Sequence, residues 1–168
     1  MTQKGGEPVK IHVRTLVLYW MPVIAWMSVI FLASTDLMSA QHTSRFIGPF
    51  LRWIAPQISP EMIQQVQFAV RKAAHVTEYA ILAALLMHAF SAGARALRWR
   101  DALLAVFLAG AFAAGDEYHQ SFIASRTGAA GDVLIDITGA MLGALICWGL
   151  IDWRLRRQRR AADRVHAT

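Results

Sequence analysis

Residues 15–34 read TLVLYWMPVIAWMSVIFLAS, twenty positions without a charged side chain. A helix needs about 20 apolar residues to cross a hydrocarbon core of about 30 Å, so this stretch predicts a membrane span. A cleaved signal peptide is the competing reading. The run is longer than an ordinary signal core and has no clean small-residue cleavage site, which favours a retained span. Pro22 is tolerable in a membrane helix, where it can introduce a kink.

Outward from this run the chain repeats the theme with polar interruptions. Its 168 residues fit one domain, and 56% hydrophobic content is high for a soluble protein. Residues 68–92 begin FAVRKAAHVTEYA and then turn wholly apolar. Residues 102–115, ALLAVFLAGAFAAG, run apolar until they meet Asp116 and Glu117. Residues 132–153, DVLIDITGAMLGALICWGLIDW, carry two aspartates in their first turns and almost no charge afterwards. Together these runs predict an all-α integral membrane protein, a four-transmembrane-helix bundle. Gly139 and Gly143 form a GxxxG pair flanked by Ala140 and Ala144, a pattern that permits close helix packing. Cys147 is the single cysteine and sits in an apolar run, so it reads as a packing residue and no internal disulfide is possible.

Charge distribution sets the expected orientation. Lys and Arg number 17 against 11 Asp and Glu. Lys4, Lys10 and Arg14 precede the first run, and Arg95, Arg98 and Arg100 follow the second. Arg154, Arg156, Arg157, Arg159, Arg160 and Arg164 fill the tail. The opposite side holds Arg45, Arg52 and Arg126 in its loops. Positive residues favour the cytoplasmic side, so both termini are expected there. The organisation that follows is a cytoplasmic segment at 1–14, a transmembrane domain at 15–153 and a basic cytoplasmic tail at 154–168. Such a tail reads as a topology signal and lipid-headgroup contact, not as a nucleic-acid site. Residues 36–61, with Pro49, Pro56, Pro60, Phe46, Phe50 and Trp53, read as an outer loop resting on the membrane interface.

This topology gathers the polar residues in one place. Arg71, Lys72, His75 and Glu78 lie near the start of the second run. Asp116, Glu117, His119 and Gln120 end the third within GDEYHQSFIASRTGAAGD (residues 115–132), and Asp132 and Asp136 open the fourth. On a helix Lys72, His75 and Tyr79 share one face, Arg71, His75 and Glu78 an overlapping one. Asp116 and Gln120 are i, i+4 partners, as are Asp132 and Asp136. A cluster of both signs can simply hold helices together. Intramembrane ionisable groups are nonetheless costly and usually functional, and packing rarely needs so many. His88, isolated on an apolar face, reads as a satisfied or interfacial histidine rather than a ligand.

The order and spacing of these residues resemble the VanZ-like membrane protein family. The resemblance is carried by K-x-x-H-x-x-x-Y at Lys72, His75 and Tyr79, and D-E-x-x-Q-x-F at Asp116, Glu117, Gln120 and Phe122. It continues with R-x-x-x-x-x-D at Arg126 and Asp132 and G-x-x-x-G at Gly139 and Gly143. It covers roughly residues 68–147. Asp136 departs from it, since the family commonly shows an amide there, and adds a negative charge. The family is named for its association with teicoplanin resistance, and the resemblance implies a bacterial inner-membrane protein of the cell envelope without supplying a reaction.

Three chemistries fit the residues. In the first, an enzyme acts on an anionic lipid-linked or envelope substrate at the outer leaflet. Lys72, Arg126 and Arg71 hold its phosphate or carboxylate, and His75 serves as base or nucleophile with Glu78 or Asp116 orienting its ring. Glu117 is the spare acid. Tyr79, His119, Gln120, Asp132 and Asp136 complete the binding set. In the second, the same residues form a non-catalytic lipid- or partner-binding module or a small transporter component. In the third, His75, Glu78, Asp116, His119, Asp132 and Asp136 hold a metal in a membrane hydrolase, against the competition of Lys72, Arg71 and Arg126 for the carboxylates. No cofactor is assigned, and the first account is the one adopted. Substrate identity and oligomeric state stay open.

Overall fold

The structure is a computed structural model that describes residues 16–35, 40–91, 98–122 and 130–166. Every regular element among them is helical. Helix α1, Leu16–Ala33, opens with a π turn over Leu16–Trp20 and continues as α-helix from Met21. It is followed by α2, Ala40–Ile54, and α3, Pro60–Phe90. Helices α4, Trp99–Gln120, and α5, Ala130–His166, complete the chain.

Local chemistry explains where these helices start. Ser59 has an extended backbone, and its hydroxyl accepts the Met62 N–H at 3.2 Å. Pro60 then takes the first helical position, where its missing N–H costs nothing. At α4 the Asp101 carboxylate accepts the Arg98 N–H at 2.8 Å. Two differences from the sequence reading result. The second long helix begins at Pro60, not near residue 68, so its 31 residues extend over about 46 Å, more than a hydrocarbon core. Part of the supposed outer loop is the helix α2. Its Phe46, Phe50, Trp53 and Ile54 are all exposed, an apolar stripe turned away from the bundle.

Pairings along the helices fix their directions. Lys72 meets Asp132, His75 meets Asp136, Val76 lies against Gly139 and Ala80 against Gly143. The numbers rise together, so α3 and α5 run parallel. On α4, Gly110 faces Ile137 and Glu117 approaches Asp132, so α4 runs the opposite way to α5. Helix α1 is antiparallel to α3. Tyr19 stacks on His88 with ring centroids 4.9 Å apart, and the Trp26 indole donates to the Glu78 carbonyl at 2.9 Å. The end of α1, the first half of α3, the end of α4 and the start of α5 thus share one end of the bundle. His88 is exposed, with its ring against that of Tyr19.

Among the described residues, three helices are long and apolar enough to cross a membrane: Leu16–Ala33, Pro60–Phe90 and Gly131–Arg154. Helix α4 is not among them, because Arg100 and Asp101 at one end and Asp116 and Glu117 at the other shorten its apolar run. Helix α5 continues past Trp153 without a break, so the basic residues that follow extend a helix, where Arg156 pairs with Asp152 at 2.7 Å.

The core is small-residue packing around α3. Tyr79, Leu82, Ala83 and Met87 are buried against Ala105, Ala109 and Ala113 of α4 and Ala140 and Ala144 of α5. The closest approach is between α3 and α5. A Cβ at Gly139 would lie 2.8 Å from the Val76 Cα, and one at Gly143 2.6 Å from the Ala80 Cα. These obstacles are backbone and cannot rotate away. Gly143→Ala should therefore destabilise the bundle by about 3 kcal/mol, the upper part of the usual overpacking range. Gly149→Ala meets nothing within 4 Å and should be neutral or slightly stabilising. Thermal unfolding of the two detergent-solubilised variants checks this, and equal melting temperatures would contradict the close contact.

Candidate functional site

At the shared end, α3 and α5 present two polar pairs one turn apart. The Lys72 ammonium pairs with the Asp132 carboxylate, and both side chains are mostly covered. One turn deeper, His75 Nδ1 lies 3.0 Å from Asp136 Oδ1. With Asp136 ionised, the Nδ1–H donates to the carboxylate and the Nε2 lone pair stays available. The His75 ring is buried and Asp136 is only 1% exposed. The i, i+4 spacing of Asp132 and Asp136 sets the rise between the pairs, and Lys72 and His75 match it across the interface. His75 lies about 22 Å along α3 from Pro60, midway along the helix rather than near its start.

Helix α4 supplies the third wall. Asp116, Glu117 and Gln120 are buried. Gln120 Nε2 donates to Asp116 Oδ2 at 2.9 Å, the i, i+4 contact expected from spacing. The same oxygen accepts the Ser34 hydroxyl at 2.5 Å, which ties the end of α1 to the cluster. A ring nitrogen of His75, a Glu117 oxygen and an Asp132 oxygen lie within 4.8 Å of one another. Tyr79 is fully buried, with its ring 6.3 Å from that of Phe112. Its hydroxyl, Asp116 Oδ1 and Asp136 Oδ2 are buried without a hydrogen-bond partner among the described residues.

The remaining sequence candidates are placed differently. His119 is half-buried with its ring 4.8 Å from that of Phe31, and its Nδ1 is buried without a hydrogen-bond partner among the described residues. Glu78 is half-buried, and its carbonyl accepts the Trp26 indole N–H. Arg71 is exposed over the Phe68 ring, 5.7 Å from its centroid. It borders a surface hollow of about 460 Å³ with Glu61, Gln64 and Gln65. Arg126 lies outside the described residues.

One assignment changes and one residue is new. The partner orienting His75 is Asp136, not Glu78 or Asp116. The carboxylate at 136 therefore has a definite use, as acceptor for an imidazole N–H. Ser34 was missed because it ends a charge-free run and reads there as a spacer. Its signal was position: a hydroxyl at the last turn of α1, level with the polar helix ends. Removing it leaves a buried carboxylate oxygen short of a donor. Ser34→Ala should cost about 1 kcal/mol of stability. Ser28→Ala, which loses only an exposed bond to the Ile24 carbonyl in its own helix, should cost almost nothing. Thermal melts of both variants decide whether Asp116 depends on α1.

Comparison with known proteins adds one finding. The sequence model of the VanZ/LLP1 family matches residues 19–152, from the first helix through the cluster to the far end of the last span. No curated protein and no solved structure matches the chain.

Proposed function

The chain belongs to the VanZ/LLP1 family, and on that premise we propose that its polar cluster binds and acts on an anionic lipid-linked or cell-envelope substrate. The observation that supports this most is the pair of stacked contacts, Lys72–Asp132 above His75–Asp136, on two parallel helices. Asp136 fixes the ring of His75 and would stabilise the imidazolium, so that Nε2 can take a proton from an attacking or leaving oxygen. Lys72 offers an ammonium whose present partner, Asp132, can be exchanged for a phosphate or carboxylate oxygen. Arg71, exposed beside the hollow along α3, suits an approaching headgroup. Glu117 and Asp116 supply the acid side. A site of this kind acting on envelope precursors would also give the family's link to glycopeptide resistance a chemical basis.

In this reading α4 is a fourth span, enclosed by α3 and α5 on its polar-ended side, in a bacterial inner membrane. Both termini lie in the cytoplasm, and the cluster opens toward the outer leaflet. The arginine asymmetry supports that orientation, and the exposed apolar stripe of α2 fits a membrane interface. Reporter fusions at position 94 and after Asp152 should report cytoplasmic placement, and one near Arg52 the external side. The reverse pattern would move the cluster to the other leaflet and remove the outer-leaflet substrate.

Substrate class and catalysis are separable. Lipids retained on the purified protein, identified by mass spectrometry, should be enriched in an anionic species, and turnover of that species tests chemistry. His75→Gln keeps size and hydrogen bonding but cannot carry a proton. The expected outcome is a normally melting protein that retains the lipid and has lost turnover by about 100-fold or more, the scale of one general base. A stable glutamine variant with full turnover would remove His75 from catalysis. Lipid retention without any turnover in the wild type would leave a binding module.

A further inference from the structure

We propose that His75, Glu117 and Asp132 form a binding site for one divalent first-row cation, zinc or manganese, with Asp136 as its supporting carboxylate. Their donor atoms come from three helices, α3, α4 and α5, yet lie within 4.8 Å of one another. One imidazole and two carboxylates without a thiolate suit zinc and manganese rather than copper(I). Three protein donors leave at least one coordination position for water or substrate, the pattern of a catalytic rather than a structural centre.

Two further observations point to a cation. His75 Nδ1 lies 3.0 Å from Asp136 Oδ1, where an ionised Asp136 accepts an Nδ1–H. That leaves Nε2 as the ligand atom and supplies the carboxylate–histidine support that metal-bound imidazoles commonly have. The second observation is unsatisfied buried oxygen at the same level. Asp116 and Asp136, each at least nine-tenths buried, carry an oxygen without a hydrogen-bond partner among the described residues. A buried carboxylate oxygen without a partner is costly in a low dielectric, and a nearby divalent ion relieves that cost.

Lys72 is the counter-argument, because its ammonium already pairs with Asp132. It gives the proposal a distinctive signature. A metal must displace or share that ammonium, so deleting the charge should strengthen binding, while deleting a ligand should weaken it. This inference replaces the general-base role given to His75 above, because an Nε2 held by a cation cannot also take a proton and a metal-bound water would be the base instead. It rests on the proposed substrate site only for its role, since cation binding is measured without any substrate.

The test uses the full-length protein in detergent, stripped with a chelator, and titrated with Mn²⁺ alone by its free-ion resonance signal and with Zn²⁺ alone by competition against a chromophoric chelator. One equivalent of at least one metal is expected to bind. Glu117→Gln and Asp132→Asn should each weaken that binding at least tenfold, and Asp136→Asn should weaken it by about 10- to 100-fold, as for other supporting carboxylates. Lys72→Met should tighten it several-fold. Asp152→Asn, in the exposed pair with Arg156, should leave it unchanged. Metal-free melting temperatures accompany each variant, and only those melting as the wild type are counted. The proposal is overturned by absence of saturable binding of both metals, by equal loss in Asp152→Asn, or by weaker binding in Lys72→Met. Failure here with lipid retention and turnover intact would remove the metal alone, whereas metal binding without turnover would remove the enzyme reading alone.

Discussion

The close backbone contact between α3 and α5 is the constraint on which the rest of the arrangement depends. Gly139 and Gly143 let the two helices approach until only hydrogen fits between them and the backbone of Val76 and Ala80. Where the backbones are this near, sliding one helix past the other is not a small adjustment, because each residue step re-presents a different side chain to the contact. The register set at the glycines is thus carried along the helices to Lys72 and His75, which meet Asp132 and Asp136 with no slack. Small residues in the apolar half of the bundle determine which ionic groups meet in the polar half.

That coupling explains how so much charge is tolerated in a greasy chain. Polar groups in hydrocarbon favour folding only when paired, and the measured gain per hydrogen bond is modest even then. Here the partners come from four helices: Ser34 on α1, Lys72 and His75 on α3, Asp116 and Gln120 on α4, and Asp132 and Asp136 on α5. No single helix could satisfy its own set. The carboxylate at position 136, unusual against the family pattern, fits this logic because a carboxylate accepts an imidazole N–H and also stabilises the charged ring.

Much of the arrangement was legible from the sequence where the determinant is local. A charge-free run of twenty residues specifies α1, i, i+4 spacing specifies the Asp116–Gln120 contact, and GxxxG specifies a close helix contact. Helical phase alone puts Lys72, His75 and Tyr79 on one face. What escaped depends on which residues meet across 60 or more positions of chain. Glu78 is closer to His75 in sequence than Asp136 and looked the natural partner, but packing brings in a residue 61 positions away. Ser34 is an ordinary residue made significant only by the depth at which α1 ends. The early start of α3 was readable in Ser59-Pro60-Glu61, a cap, a helix-initiating proline and an acid in the first turn. The prolines around it drew attention to a loop instead. Helix α2 was obscured for the same reason, by the Pro49 within it.

The shortness of α4 has a consequence for the lipid around the protein. Its apolar stretch, residues 102–115, covers only about 21 Å, against a hydrocarbon thickness of about 30 Å. Leu103, Leu104, Phe107 and Leu108 face outward over that stretch. If this face meets lipid, chains of ordinary length do not match it, and the mismatch is relieved by compressing the adjacent leaflets or by drawing water inward. Either response lowers the headgroup plane on one flank of the bundle toward Asp116 and Glu117. The protein would then work in a dimple of its own making, where a polar headgroup descends to the buried cluster without having to leave the interface.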